Sequence, residues 1–444
     1  MTTRIPDLPE LSGARGIASA VAFWGSAQDR TFRATITELT NTFYPEDFGA
    51  LGDGSTDDAP AIQAAIDAAG VAGGVVVFGP KVYVFASTLT FSSRGVTLQG
   101  AGRNTFASVR FGTVLLWSGS AAATWIEMNG DCCAIRDFDI RATGVQTAGV
   151  AIAIRQVSGG VVGTRNALDR VYVRECYNGI NVHGMPYTTL TDVYVDNQRG
   201  TYGVRFYGDS TYRTDNLFLT RVVVETPYDV AGSAGFLMEG LCASVFATDC
   251  YFRDVAYGVH VRASGGNTPT FARFFRCAVE ACLTNGYYLQ GLSFGVVERS
   301  YIGINGLASG GGDGSGLVLG TDCSGCIQLI GNDVRGNGRH GYEIQASAAA
   351  VQIENLQHAA NSQNANNTYD GVNVAGGTER FQIRGGYVGG SILMAGVATR
   401  QRYGVSIGAG CDYYIVQGVD ARFNVTGAIN DGGGSNKSVT GNLT

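Results

Sequence analysis

The 444-residue chain has little proline, little lysine and little charge. It carries 8 prolines, and Asp, Glu, Lys and Arg together make up 15% of it, against roughly 25% in an average domain. Lys81 and Lys437 are its lysines; every other basic side chain except histidine is arginine. Scarce proline and no three-residue glycine period exclude collagen. Scarce lysine and glutamate exclude a long coiled coil. A net charge of −6 argues against a nucleic-acid binder. No apolar run reaches the length of a membrane span, and MTTRIPDLPELSGAR lacks the charged-then-apolar layout of a secretory signal. The chain is therefore expected to be assembled in a reducing cytoplasm, without membrane insertion. Its ten cysteines are scattered, and Cys323-x-x-Cys326 has no second half. They read as free, buried thiols. No metal and no cofactor are expected.

Glycine and apolar residues are what the chain has in quantity. Its 65 glycines are about 15% of the total, roughly twice the usual share. Hydrophobic residues reach 45%, which excludes a mainly disordered chain. An ordered chain with this much glycine needs many turns between many short strands. A glycine followed by an alternating apolar strand recurs at Gly149, Gly179, Gly203, Gly235, Gly258, Gly286, Gly316, Gly341, Gly371 and Gly404, about every 28 residues. Val204 and Phe206, for example, alternate with Arg205 and Tyr207, as in a half-buried strand. A second strand precedes most of these glycines: RVYVR at 170–174, DVYVD at 192–196, RVVVE at 221–225, DCYFR at 249–253, RCAVE at 276–280 and RSYIG at 299–303. Units of two or three strands without helices between them predict an all-β solenoid. It is read as a parallel β-helix of about twelve coils stacked at roughly 4.8 Å.

Ahead of the coils, Gly52-Asp53-Gly54 forms a turn, and Thr56, Asp57 or Asp58 can cap a helix that carries Ile62, Ala65, Ile66 and Ala69 on one face. Such a helix would cover the open end of the solenoid. DFGALGDGSTDDAPAIQAAIDAA, followed by GG-VVVF, closely resembles the opening of the pectate-lyase-like proteins. That group includes rhamnogalacturonase- and epimerase-like enzymes and many phage tailspikes. The resemblance implies a right-handed parallel β-helix, and it implies that Asp53, Asp57 and Asp58 are turn and cap residues. The group's catalytic motifs do not carry over: His340-Gly341 follows Arg339, and the Asp-Pro-His-Glu string of alginate epimerases is absent. Residues 1–43 resemble the short N-terminal segment of phage tail proteins, with a hairpin of Val21–Trp24 and Thr31–Ile36 around Gly25–Asp29. The expected organisation is an attachment arm at 1–43, a turn and capping helix at 44–74, the parallel β-helix at 75–430 and a polar C-terminal tail at 431–444.

Stacked coils place outward residues in columns. The first column reads Asp137, Arg170, Asp192, Arg221, Asp249, Arg276, Arg299; the second contains Tyr172, Tyr194, Tyr251 and Tyr301; the third reads Arg141, Arg174, Asp196, Glu225, Arg253, Glu280. Alternating signs suit a ladder that fixes register. Tyrosine faces flanked by arginine also suit a carbohydrate groove. The third column breaks its alternation at Asp196 and Glu225. These are candidate catalytic carboxylates at the spacing of a retaining glycosidase, and Glu225 with Glu280 fits inversion. Alternatively, Arg174 and Arg253 neutralise the pair. Tyr194, Tyr251 and Arg253 are candidate substrate-binding residues beside them. On the adjoining sheet, Glu239 is a further catalytic candidate, and Arg205, His260 and Arg262 are candidate binding residues that would orient a sugar or serve a lyase.

The expectation is a homotrimeric phage tailspike, attached through residues 1–43 to other virion tail or capsid proteins. It would bind and depolymerise a bacterial surface polysaccharide (capsule or lipopolysaccharide), as an endo-acting glycoside hydrolase or as a polysaccharide lyase. The rival readings are a non-catalytic structural or receptor-binding spike and a free bacterial polysaccharide lyase or epimerase.

Overall fold

A strand with one apolar face must bury it, and the chain does so by winding strands into coils that stack. The computed structural model describes residues 21–23, 32–34, 41–102, 112–157, 163–196, 198–226, 230–307, 314–345, 350–390 and 400–444. One coil shows the plan. Ala234–Gly240 lies in a first sheet, Cys242–Thr248 in a second and Tyr251–Arg253 in a third, and the chain returns to the first at Tyr257–Arg262. Each strand pairs in parallel with its counterpart one coil on. The first sheet is 13-stranded, from Leu89–Phe91 to Gly427–Asp431, close to the twelve coils expected. The fold is a right-handed parallel β-helix. Inward residues such as Phe206, Phe236, Val259 and Leu317 from the first sheet meet Val195, Val224, Phe252 and Val279 from the third, all fully buried. Each is worth roughly 1.5–3 kcal/mol.

The repeat glycines have a steric cause. A Cβ on Gly258 would lie 2.1 Å from Val279 Cγ1 and 2.9 Å from the carbonyl oxygen of Gly286. A Cβ on Gly286 would lie 2.5 Å from the carbonyl of Gly316, one on Gly316 2.7 Å from that of Gly341, and one on Gly341 2.5 Å from that of Gly371. These glycines stack at the corner where the third sheet hands over to the first. They need no unusual backbone angle there; they leave room for the next coil.

The same corner carries a buried amide ladder. Asn305 Nδ2 donates to Asn337 Oδ1, Asn337 Nδ2 to Asn361 Oδ1, Asn361 Nδ2 to Gln401 Oε1 and Gln401 Nε2 to Asn424 Oδ1, each at 2.9 Å. Towards the N-terminus the ladder gives way to a thiol, with the backbone N–H of Cys282 donating to Asn305 Oδ1 at 3.0 Å. All ten cysteines are free; eight are buried, Cys132 is exposed and Cys326 is half-buried.

The capping helix is Ala59–Gly70, with Ile62, Ala65, Ile66 and Ala69 buried. Asp58 accepts the N–H groups of Leu51 and Gly52, Asp57 those of Ala59 and Ala86, and Asp53 those of Ser55 and Thr56. All three carboxylates are committed to backbone, as turn and cap residues are. Val21–Phe23 pairs antiparallel with Phe32–Ala34. The rest of the expected hairpin, including its Gly25–Asp29 turn, lies outside the described residues.

Two expectations need correction. Residues 431–444 are not a tail set apart from the coils: Lys437–Thr440 pairs in parallel with Tyr414–Gln417 as the last strand of the second sheet. The first column is not a regular strand face either: only Asp137 and Arg170 fall within strands. Asp137, Arg170, Asp192, Arg221, Asp249, Arg276 and Arg299 all have φ between 51° and 64° and turn the chain from the second sheet to the third. This left-handed conformation costs roughly 1–2 kcal/mol for a residue with a Cβ. Bidentate pairs hold two of these corners, Arg170 to Asp137 at 2.7 and 2.8 Å and Arg221 to Asp192 at 2.6 and 2.8 Å, and Arg276 reaches Asp249 at 2.7 Å. The column is a register ladder.

The glycine column predicts that Gly258→Ala lowers stability by about 1–3 kcal/mol through overpacking. Gly144→Ala, with no atom within 4 Å of its new Cβ, leaves it unchanged. Denaturant midpoints of the two variants check this; equal midpoints would refute the steric role.

Candidate functional site

The third sheet turns three-residue strands outward, so each contributes two half-buried, outward side chains flanking one buried residue. Tyr172 pairs with Tyr194 and Arg174 with Asp196; then Asp196 with Glu225, Glu225 with Arg253 and Arg253 with Glu280. Both expected columns are present in this register. The hydroxyl of Tyr172 donates to Asp196 at 3.0 Å, Tyr194 donates to Glu225 and Tyr251 to Glu280. Each tyrosine therefore holds the carboxylate one coil on, in the neighbouring column. Burial pushes the Tyr251 phenol up to about 12, and the Glu280 carboxylate adds to this. Tyr172 and Tyr194 are raised for the same reasons, so all three stay protonated donors. The Tyr172 and Tyr194 rings lie 4.8 Å apart, edge to face.

The two arginines bracketing the carboxylates point partly elsewhere. Arg174 binds the buried Asp139 one coil back, at 2.5 and 3.1 Å, and lies 4.5 Å above the Tyr172 ring. Arg253 binds Asp254 at 2.7 Å and stands 4.0 Å from Glu225. Asp196 and Glu225 thus sit side by side, with tyrosine donors, between arginines whose shortest contacts are to other acids.

Glu239, Arg205, His260 and Arg262 are not on this face. They stand outward on the first sheet, so the expected site residues divide between two surfaces. Glu239 is almost fully buried. Arg205 Nε donates to it at 2.7 Å and Arg262 Nε at 2.6 Å. Clamped by two guanidinium groups, Glu239 is the anchor of two arginines on this face. Around them lies an aromatic floor. Arg205 lies 4.1 Å over Tyr207, and His260 stacks on Tyr288 at 5.3 Å and against Tyr257 at 4.6 Å. The sequence shows Tyr207 as outward, but not that Tyr202 and Tyr257, at the strand starts, gather with Ala234 around Leu237. The backbone alternation that exposes one face does not reveal which neighbours fold over it.

Burial holds the imidazoles of His260 and His340 down to about 4 and that of His358 to about 3. Nδ1 of His260 and Oδ1 of Asn181, both on the first-sheet face, are buried without a hydrogen-bond partner among the described residues. No group of three or more His, Cys, Asp or Glu among the described residues is placed to hold a metal ion, and no described helix is long and apolar enough to cross a membrane.

Comparison with known proteins agrees with the fold. Residues 45–221 match the family described as rhamnogalacturonase A/epimerase, pectate lyase-like, and residues 178–357 match the right-handed beta helix region. The chain is 45% identical over 67 residues to mannuronan C5-epimerase AlgE3 of Azotobacter vinelandii, a match spanning 15% of this chain and 4% of that protein. It is 29% identical over 170 residues to the capsule KN3-specific depolymerase 1 of Klebsiella phage KN3-1, spanning 34% of this chain and 20% of that protein. Its coils superimpose on tailspike protein 3 of bacteriophage CBA120 with a TM-score of 0.64 at 15% identity, covering 95% of this chain and 65% of the other. That likeness is one of fold.

The buried histidines set a pH dependence. Their folded values lie below the roughly 6.5 of an unfolded chain, so below pH 6.5 the unfolded state takes up protons that the folded state refuses. Stability is full above pH 6.5 and falls as the pH drops from there towards about 4, by up to ~1.4 kcal/mol per pH unit for each histidine. Denaturation at pH 7, 6 and 5 checks this. His260→Gln reduces the slope, and a slope unchanged in that variant would contradict the burial of His260.

Proposed function

We propose that this pectate-lyase-like right-handed β-helix is a phage tailspike that binds and depolymerises a bacterial surface polysaccharide, capsule or lipopolysaccharide. The observation that carries the reading is the in-register pair Asp196 and Glu225, outward, tyrosine-bonded and beside a tyrosine platform. Retaining glycoside hydrolysis uses two carboxyl groups about 5–5.5 Å apart, close to the roughly 4.8 Å between neighbouring strands. One carboxylic acid gives its proton to the glycosidic oxygen as the bond to the leaving sugar breaks, and the other carboxylate attacks the anomeric carbon. Water then displaces that carboxylate and returns the proton. Glu225 and Glu280 are an alternative pair two coils apart. The side chain of Arg253 stands between them in register, where inversion needs room for a water, which favours Asp196 with Glu225. The Tyr172 and Tyr194 rings supply faces for sugar stacking.

The likeness to a phage capsule depolymerase supports this substrate class. Attachment to the virion through residues 1–43 and assembly as a homotrimer complete the reading; three rods make weak single sites effective through multivalency. A second reading, a lyase, rests on the first-sheet face. There, neutral His260 has a ring nitrogen without a partner among the described residues, and Arg205 and Arg262, held by Glu239, bring positive charge for an acidic sugar beside it.

Incubation with host capsule or lipopolysaccharide is expected to release oligosaccharides with new reducing ends and no unsaturated sugar. Glu225→Gln and Asp196→Asn each lower the rate by about 10²-fold or more. Unsaturated products with both variants fully active would move the chemistry to the first sheet. Intact polysaccharide from a susceptible host would refute depolymerisation.

A further inference from the structure

The outward face of the second sheet belongs to neither candidate surface, and it carries an aromatic stripe. Phe218 stacks on Phe246 at 5.3 Å with the rings 10° from parallel, and Phe246 meets Phe271 at 5.6 Å. Phe271 pairs in register with Phe294, which is 50% exposed. Thr189, Thr191, Thr220 and Thr248 continue this face on the neighbouring strands. An aromatic stripe on a flat sheet is costly to leave in water. Arg273 stands in register with Phe246 within this stripe, and phenylalanine and arginine are both enriched at protein interfaces.

Charge and area identify the occupant. The few charged residues on this face come as opposite neighbours. Arg273 donates to Glu298 at 2.9 Å, and Glu354 pairs in register with Arg384. The face is thus neutral although the chain carries −6. Rotation of copies about an axis along the rod sets each coil level with the same coil of its neighbour, so like residues meet at the same height. A face bearing the adjacent acids Asp196 and Glu225 meets its own like charges there; the second sheet meets mostly threonine, phenylalanine and glutamine, and its Arg273 and Glu298 are already paired within one copy. Its outward strands from Thr188–Thr191 to Tyr414–Gln417 cover about 40 Å by 15 Å, or roughly 600 Å², most of the ~800 Å² per partner of a stable interface. A second copy also shares the coil repeat, so its side chains interleave along the whole length.

We infer that a second copy of this chain packs on the outward face of the second sheet, with Phe218, Phe246, Phe271 and Phe294 at the centre of the contact. The inference rests on the homotrimer reading and specifies its face. It leaves the first and third sheets open to polysaccharide.

The test uses the full chain. Light scattering of the wild-type protein gives the mass of three chains. The Phe218→Asp/Phe246→Asp double variant falls to the mass of one, with an unchanged circular-dichroism spectrum. Phe294→Gln, at a side chain half exposed within one copy, weakens assembly without burdening the fold, should the double variant misfold. Cys326 lies on the same face and pairs in register with Phe294. It resists a bulky maleimide in the assembly and reacts in the monomeric variant, while the exposed Cys132 reacts in both. A wild-type monomer would overturn the trimer reading together with this one. A trimer that survives the substitutions, or a Cys326 that labels equally in both states, would overturn the face alone.

Discussion

Everything in this molecule follows from the close approach of one coil to the next. Successive backbones run roughly 4.8 Å apart, and at the corner leading into the first sheet the glycine of most coils faces the carbonyl of the next. No side chain fits in that gap. The seam fixes the register of all three sheets at once, because the strands on either side of it leave the corner in step. Two ladders reinforce it, buried amides from Asn305 to Asn424 inside and arginine–aspartate pairs outside. The inner ladder is the costlier to break, since a lost amide leaves its neighbours buried and unsatisfied. Exposed ion pairs are individually weak.

Register on this scale makes surface chemistry additive along the rod. A residue type repeated at one position of the coil becomes a column, and adjacent columns interact diagonally. The tyrosine-to-carboxylate bonds of the third sheet arise this way: Tyr172, Tyr194 and Tyr251 each reach the acid of the following coil. The first sheet uses the same geometry to lodge Glu239 between arginines from the coils on either side. The second sheet presents phenylalanine and threonine, with Arg273 and Glu298 paired beside them. Three faces of one solenoid thus carry three chemistries, and a polysaccharide chain laid along the rod meets a repeating row of rings and charges.

Much of this is legible in the sequence. The glycine repeat, the alternating strands and the capping helix are local patterns, and the columns follow from stacking them. The pairing of Asp196 with Glu225 was therefore readable from residue spacing. The corners were not. A string such as RVYVR alternates like one strand, and nothing marks its first residue as left-handed, because arginine and aspartate stand where glycine or asparagine is usual. Strand strings also carry no angle between sheets. For that reason the sequence puts Glu239 on the sheet adjoining that of Glu225 but does not show how the two faces are turned relative to each other. The direction of the Arg174 and Arg253 side chains was equally hidden, since it depends on Asp139 and Asp254, each a competitor for the guanidinium.

A structure of the Glu225→Gln protein with an oligosaccharide of its host's surface polysaccharide bears on the whole argument. Sugar rings on Tyr172 and Tyr194, with an anomeric carbon between Asp196 and residue 225, are the predicted result. An oligosaccharide bound only on the first sheet, over His260 and Tyr288, would contradict it.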